Sequence, residues 1–288
     1  MPVTVDLLPA APAALGESPL WDHRHGRLWW VDAIAGLLRS TDAEGLGARE
    51  WRFEQSLGSV GLASDGLILA LADGFHRFDP GSGATRPVAR PAMQPDTRLN
   101  DGKADRHGRF LAASMRLGDE GAPGSLFRLD ADGQIAALEH GIAIGNALCF
   151  SPAGDALHFA DSMDGMLRRY AYDAETGAIG ARANIADCRD QGSGPDGATV
   201  DAEGRIWVAL VLAQAIACYT PDGALIRTIP VPVPYPSCPA FGGADLGTLY
   251  VTTIANSGHR LVADHPDAGR VIAINGLDAV GIGEGVYR

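Results

Sequence analysis

The feature that most restricts the fold of this 288-residue chain is a unit that returns six times, a turn closing on glycine followed by an apolar or aromatic strand. The copies read HRHGRLWWVD, ASDGLILALAD, DRHGRFLAAS, SPAGDALHFADS, DAEGRIWVAL and ADLGTLYVTT, with turn glycines at Gly26, Gly66, Gly108, Gly154, Gly204 and Gly247. Successive glycines stand 40, 42, 46, 50 and 43 residues apart. A strand-built period of roughly 40 to 50 residues is that of a β-propeller, in which each repeat is one four-stranded blade. Six repeats predict an all-β, six-bladed β-propeller, read as a single domain over 1–288. A β-sandwich would show turn signals every 8 to 12 residues or so, without the longer self-similarity. Closing a ring joins the chain ends, so residues 3–8 are expected to complete the last blade.

Composition narrows the guests. The chain carries 35 acidic against 23 basic side chains, a formal net charge of -12. Nucleic acids and anionic membranes are recognised mainly through clustered Lys and Arg, so this balance points to cations instead. The longest apolar run, residues 206–217, is broken by Gln214 and falls short of the roughly 20 residues needed to span a bilayer. The N-terminal MPVTVD lacks the basic and apolar regions of a signal peptide, so a cytoplasmic location is expected. Cys149, Cys188, Cys218 and Cys238 form no CxxC pair and read as free thiols of a reducing compartment. A propeller of this size is self-sufficient, and a monomer is expected.

Residues at a fixed offset from the turn glycine occupy equivalent places in successive blades. Eight positions before it stand Asn100, Asn146 and Asp196, and nine before it in the first repeat stands Glu17; the other two repeats offer Gly58, beside Ser59, and Pro239, beside Cys238. Asn and Asp before Gly are common turn formers, which accounts for each singly but not for the shared phase. Four oxygen-bearing side chains in phase are expected to converge at one end of the central channel. Without sulfur or imidazole, the set suits a hard divalent cation such as Ca²⁺, Mg²⁺ or Mn²⁺, although Zn²⁺ can also bind such oxygens.

The segments GESPLWD, RLNDGKADRHGRF followed by AASM, GNALCFSPAGDALHFADS, GPDGATVDAEGRIWVAL and PAFGGADLGTLYVTT resemble the landmarks of the gluconolactonase/regucalcin (senescence marker protein) family, in order and over nearly the whole chain. The resemblance implies a six-bladed propeller that binds one divalent metal and hydrolyses a small-molecule sugar lactone. It implies metal ligation by Glu17, Asn146 and Asp196 and substrate contacts from Arg98 and Asn100. Asp196, able to accept a water proton close to the metal, is expected to be the catalytic general base; because a bound cation weakens a carboxylate as a base, an acid outside the ligand set or a metal-bound hydroxide is the alternative. Leu99 stands where the family usually has Phe, and Ala147 where Gly usually follows the metal-binding Asn. The loop 116–123, with Asp119 and Glu120, does not align with the family's acidic substrate loop, so no role is carried over to it. Two further readings of such a site are a phosphotriesterase-like hydrolase and a non-enzymatic calcium-binding regulatory propeller.

Other motifs have plainer explanations. The run from Gly192 to Gly197 fits GxGxxG, but a strand, a turn and a strand follow it where a dinucleotide site needs a helix. His23 and His25 sit in the first turn and read as solvated. Neither GxSxG nor HExxH occurs. Trp29, Trp30, Trp51 and Trp207 have strand spacing and read as blade packing, while Asp101 and Lys103 read as turn residues beside Asn100.

Overall fold

The computed structural model describes residues 2–118 and 120–288, so Asp119 lies outside the described residues. Six sheets follow one another as the blades of a β-propeller. Their first strands, which face the axis and are almost wholly buried, are Gly16–Asp22, Leu57–Ala63, Thr97–Ala104, Gly145–Phe150, Pro195–Val200 and Pro236–Gly242. In the first five blades three further strands step outward in chain order. The sixth takes Thr248–Thr253 and Ile272–Asn275, and its outer strand is Thr4–Leu7, with Thr4 opposite Asn275 and Leu7 opposite Ile272. This is the closure expected of residues 3–8. Val286–Tyr287 adds a short parallel pairing to Leu57–Ala63. Among the described residues the helical content is one 3₁₀ turn, Cys188–Gln191, and no helix is long and apolar enough to cross a membrane. That turn precedes the GxGxxG run, which leads into the strand Pro195–Val200 and not into a helix.

The repeated turn owes its shape to the acid that opens it. In DRHGR and DAEGR, Asp105 and Asp201 are fully buried and accept backbone N–H bonds from within their own turns: His107 and Arg109 at 2.8 and 2.9 Å, Glu203 and Arg205 at 3.0 and 2.9 Å. Each also takes the guanidinium of the arginine after the turn glycine, Arg109 at 2.8 Å and Arg205 at 2.6 Å. Burial alone would raise the Asp105 pKa, yet these donors and the Tyr172 hydroxyl hold it below the ordinary value. Gly108 and Gly204 turn the chain at φ of 97° and 82°, where a Cβ is poorly tolerated. In the first turn, Asp22 binds Arg24 and His25, which gives His25 a structural partner.

Aromatic contacts join blade to blade. Trp51 of the first blade meets Phe78 of the second edge-on at 5.7 Å, Phe75 meets Phe110 of the third at 6.0 Å, and Trp207 of the fifth meets Phe241 of the sixth at 5.7 Å. Trp29, Trp30 and Trp207 are buried and Trp51 stacks on Trp29 at 5.3 Å, so all four pack the blades. Near the axis the inner strands approach too closely for side chains. A Cβ on Gly58 would stand 2.4 Å from the carbonyl oxygen of Leu99 and 2.7 Å from that of Asn100, both backbone atoms of the neighbouring blade. Gly58→Ala is therefore expected to lower the unfolding free energy by about 1–3 kcal/mol, as over-packing does. A urea midpoint that does not move would show that the second and third blades separate freely.

Candidate active site

Each inner strand breaks its pairing near its N-terminal end, and the break is what brings the singled-out side chains together. Register shifts fall between Glu17 and Leu20, Leu57 and Ser59, Leu99 and Gly102, Asn146 and Cys149, Pro195 and Ala198, and Pro236 and Cys238. A bulge re-aims side chains that a regular strand would send into the blade faces. Glu17 and Asn146 are the last paired residues before their bulges, while Asn100 and Asp196 lie inside theirs. In the sixth blade the irregularity falls at Ser237 and not at Pro239, which pairs regularly with Val251. The residues after Glu17 and Asn146, Ser18 and Ala147, take left-handed φ of 50° and 54°. Non-glycine residues rarely adopt this conformation, and it marks backbone strain held at these two positions.

The structure places Glu17, Arg98, Asn100, Asn146 and Asp196 on one cavity of about 520 Å³ at the channel mouth, each less than a tenth exposed. A hydrogen-bond relay crosses three blades. Arg98 Nη1 donates to the carbonyl of Leu99 and to Asn100 Oδ1, both at 2.9 Å. Asn100 Nδ2 donates to Asn146 Oδ1 at 3.0 Å and to the carbonyl of Gly145 at 3.1 Å. Asn146 Nδ2 donates to Ser162 Oγ at 2.9 Å, and that hydroxyl donates to the carbonyl of Pro195 at 2.6 Å, next to Asp196. The relay fixes both amides, so Asn146 presents an oxygen with one lone pair still to spend. Among the described residues no hydrogen bond reaches the Asp196 carboxylate, and Nε and Nη2 of Arg98 have no protein acceptor.

Sequence reasoning missed the residues that hold these ligands in place. Asp32 accepts the backbone N–H groups of Ala14 and Leu15 at 2.7 and 3.2 Å, just ahead of Glu17. Asp161 does the same for Ala143 and Ile144 at 2.8 and 3.1 Å, just ahead of Asn146. The available signal was the acid ending WWVD and HFAD, a partial one because the second repeat also ends in an acid, Asp73 of LALAD. Asp101, expected to be a turn residue, is buried and accepts the Leu148 N–H at 2.8 Å. Lys103 is likewise no turn residue; it pairs with Glu284 at 3.1 Å, deeper along the axis.

The electrostatics of this group are unbalanced. Burial, then the charges of Asp196 and Asp101, push Glu17 well above the ordinary carboxylate range, against the Ser18 amide and Arg98. Burial and Asp101 do the same to Asp196. Burial lowers the Arg98 guanidinium to about 10, with Glu17 acting the other way. Three buried carboxylates (Glu17, Asp101 and Asp196) thus face one buried cation, Arg98, a difference of two charges in their ionised forms, while the partly buried Lys103 and Glu284 answer each other. One divalent cation would supply that difference, and Glu17, Asn146 and Asp196 on the cavity floor all offer oxygen donors, so these residues fit such an ion. Among the described residues no group of three or more His, Cys, Asp or Glu could hold a metal, so amide and water oxygens would complete its coordination.

The Lys103–Glu284 pair is enclosed, each side chain 12% exposed, and it links the third blade to the C-terminal segment. Removing one partner of such a pair leaves a buried charge uncompensated. Glu284→Gln is expected to destabilise the protein by about 3 kcal/mol in equilibrium urea unfolding. A loss below about 0.5 kcal/mol would place the pair in the class of solvated surface bridges.

The family model described as "SMP-30/Gluconolactonase/LRE-like region" matches residues 15–255. The chain is 36% identical over 257 residues to the pentonolactonase XacC of Haloferax volcanii, covering 89% of this chain and 87% of that protein. It is 33% identical to the 6-deoxy-6-sulfogluconolactonase of Pseudomonas putida, with 91% of each covered. Among solved structures, the calcium-binding protein regucalcin from Agrobacterium tumefaciens superposes with a TM-score of 0.90 at 28% identity, covering 98% of this chain and 96% of that one. With its fold, its landmark segments and this match in agreement, the chain belongs to the SMP-30/gluconolactonase/LRE-like family.

Proposed function

We propose that the protein hydrolyses sugar-acid lactones to the open-chain acids, with Glu17, Asn146 and Asp196 holding one divalent cation, Asp196 serving as general base, and Arg98 and Asn100 holding the substrate. The observation that carries this reading is the convergence, in one cavity, of two buried carboxylates short of partners with a guanidinium whose remaining donors face the same space. The lactonase names of the relatives support it. As part of the same proposal, the chain works as a single monomeric propeller domain over 1–288 in the cytoplasm, where its four buried thiols stay reduced.

A bound divalent ion supplies Lewis acidity, polarising the ring carbonyl and acidifying a water beside it. The rest falls to the chain. Asp196 accepts a proton from the attacking water as the new C–O bond forms. It returns that proton to the ring oxygen as the ester C–O bond breaks, so no external acid is needed. Burial and the charge of Asp101 make Asp196 more basic, which favours proton acceptance, while a neighbouring cation would act the other way. Arg98, with Nε and Nη2 unspent, gives charge-assisted bonds to the hydroxyls beside the carbonyl, and the relay to Asn146 keeps it from swinging away.

Chelation is expected to abolish acid release from gluconolactone and arabinonolactone, and Ca²⁺, Mg²⁺ or Mn²⁺ to restore it, while an activated phosphotriester is left intact. Full activity in protein shown by elemental analysis to be metal-free would overturn the cation. Asp196→Asn, once shown to keep its metal, should lose about two to four orders of magnitude in kcat; wild-type rates would remove Asp196 as the base. Ser162→Ala, which frees the Asn146 amide, should weaken Mn²⁺ binding in calorimetry by about tenfold or more with the fold unchanged.

A further inference from the structure

We infer that the lactone suited to this site carries an apolar substituent, on the ring carbon that bears the ring oxygen, seated against a rim formed by Met163, Val211, Leu212 and Ile34. The inference rests on the lactonase reading and narrows its substrate class.

The cavity has a polar floor and an apolar rim. Met163 comes from the turn after Ala156–Asp161 in the fourth blade, Val211 and Leu212 from the turn after Ile206–Leu210 in the fifth, and Ile34 from the turn after Arg27–Asp32 in the first. The sixth blade, between the fifth and the first, sends in Leu261 as well as the polar Ser257, His259 and Arg260. Val211 and Leu261 pack on the hydrophobic cluster that contains Leu15 and Ile254, so the apolar surface runs on from blade to blade. Ile34, Met163 and Leu212 are 44%, 48% and 62% exposed, among the most exposed large apolar side chains of the molecule. Scattered apolar residues on a surface need no explanation, but here turns of separate blades aim them at one cavity.

Apart from Asn146, the charged and amide donors of the cavity come from the third blade and, with His259 and Arg260, from the sixth. Arg98, Asn100 and Arg116 all belong to the third blade, while the rim of the fourth and fifth blades is apolar above Asn146, Ser162 and Asp196. A lactone with its carbonyl toward Asp196 and its neighbouring hydroxyls toward Arg98 extends its far substituent over Met163 and Leu212. An alkyl tail placed there removes the exposed apolar surface of Met163 and Leu212 from water, whereas a hydroxylated tail covers the same surface only at the cost of its own hydration. A single methylene in such a pocket changes specificity by about 10-fold or more.

The test uses the full chain supplied with Mn²⁺ and two lactones of one ring size, glucono-δ-lactone and δ-nonalactone, whose tail is n-butyl. The quantity read is the ratio of kcat/KM for the alkyl to the hydroxylated substrate, in wild type and in Leu212→Ser/Met163→Gln. Both side chains are exposed, and an unchanged urea midpoint confirms that the variant is folded. Binding of the matching butyl δ-lactam, which is not opened, gives a second readout by calorimetry. The ratio is expected to fall tenfold or more in the variant, mainly through KM for the alkyl lactone, with lactam affinity falling in step. A ratio and a lactam affinity that do not move overturn the inference, as does a wild type that opens gluconolactone and leaves the alkyl lactone untouched; both outcomes leave the lactonase reading standing. If neither lactone is opened, that reading fails, and lactam binding then decides the rim alone: binding weakened by the variant supports it, no binding overturns it.

Discussion

Three carboxylates buried around one axis, with one buried guanidinium among them, set the terms for the centre of this molecule. Desolvation raises Glu17, Asp101 and Asp196 together, and repulsion from neighbouring carboxylates adds to it: Asp196 and Asp101 act on Glu17, Asp101 on Asp196, and Glu284 on Asp101. Lys103 answers Glu284 directly at 3.1 Å, and Arg98 lies beside Glu17. What remains is a pair of carboxylates, Glu17 and Asp196, that is stabilised in its ionised form only if a cation joins it, and a divalent cation there would acidify a water beside it. Keeping such a group close together costs stability, and the surrounding propeller must provide it.

The blades do so by making the axis rigid. Backbone N–H bonds donated to Asp32 and Asp161 hold the chain as it enters the first and fourth inner strands, immediately ahead of Glu17 and Asn146. The bulges then turn those side chains inward, and the left-handed Ser18 and Ala147 complete each turn. Because Arg98, Asn100, Asn146 and Ser162 are linked in series, a shift in any one blade is passed to its neighbours. A ligand set drawn from different blades is as precise as the packing between them, which explains why interblade glycines such as Gly58 leave no room for a methyl group.

Floor and rim of the cavity do different work. The floor is built from inner strands, whose geometry the ring fixes; the rim is built from turns, which tolerate substitution because little else rests on them. On the proposed reading, chemistry falls to Glu17, Asn146 and Asp196 on the floor, and substrate shape to exposed rim residues such as Met163 and Leu212.

The sequence by itself determined the architecture. A glycine turn with an apolar strand after it, returning at a near-constant period, leaves few folds open, and closure of the ring by residues 3–8 follows from that count alone. It also determined which side chains share a level of the channel, since Glu17, Asn100, Asn146 and Asp196 keep one phase against their turn glycines. The same phase pointed to Pro239 in the sixth repeat, where the bulge lies at Ser237, because spacing marks the turn and not the irregularity in the strand. Only the tertiary structure decided what surrounds these residues. Lys103 and Asp101 look like turn residues in a linear reading, yet Lys103 meets Glu284, 181 positions away, and Asp101 meets Leu148. Asp32, Asp161 and Ser162 draw their meaning from backbone and side-chain groups 16 to 33 residues away in sequence. Local pattern encodes which strand forms and which face it buries; the hydrogen bonds and charges that tune a buried site come from chain segments that only closure of the ring brings within reach.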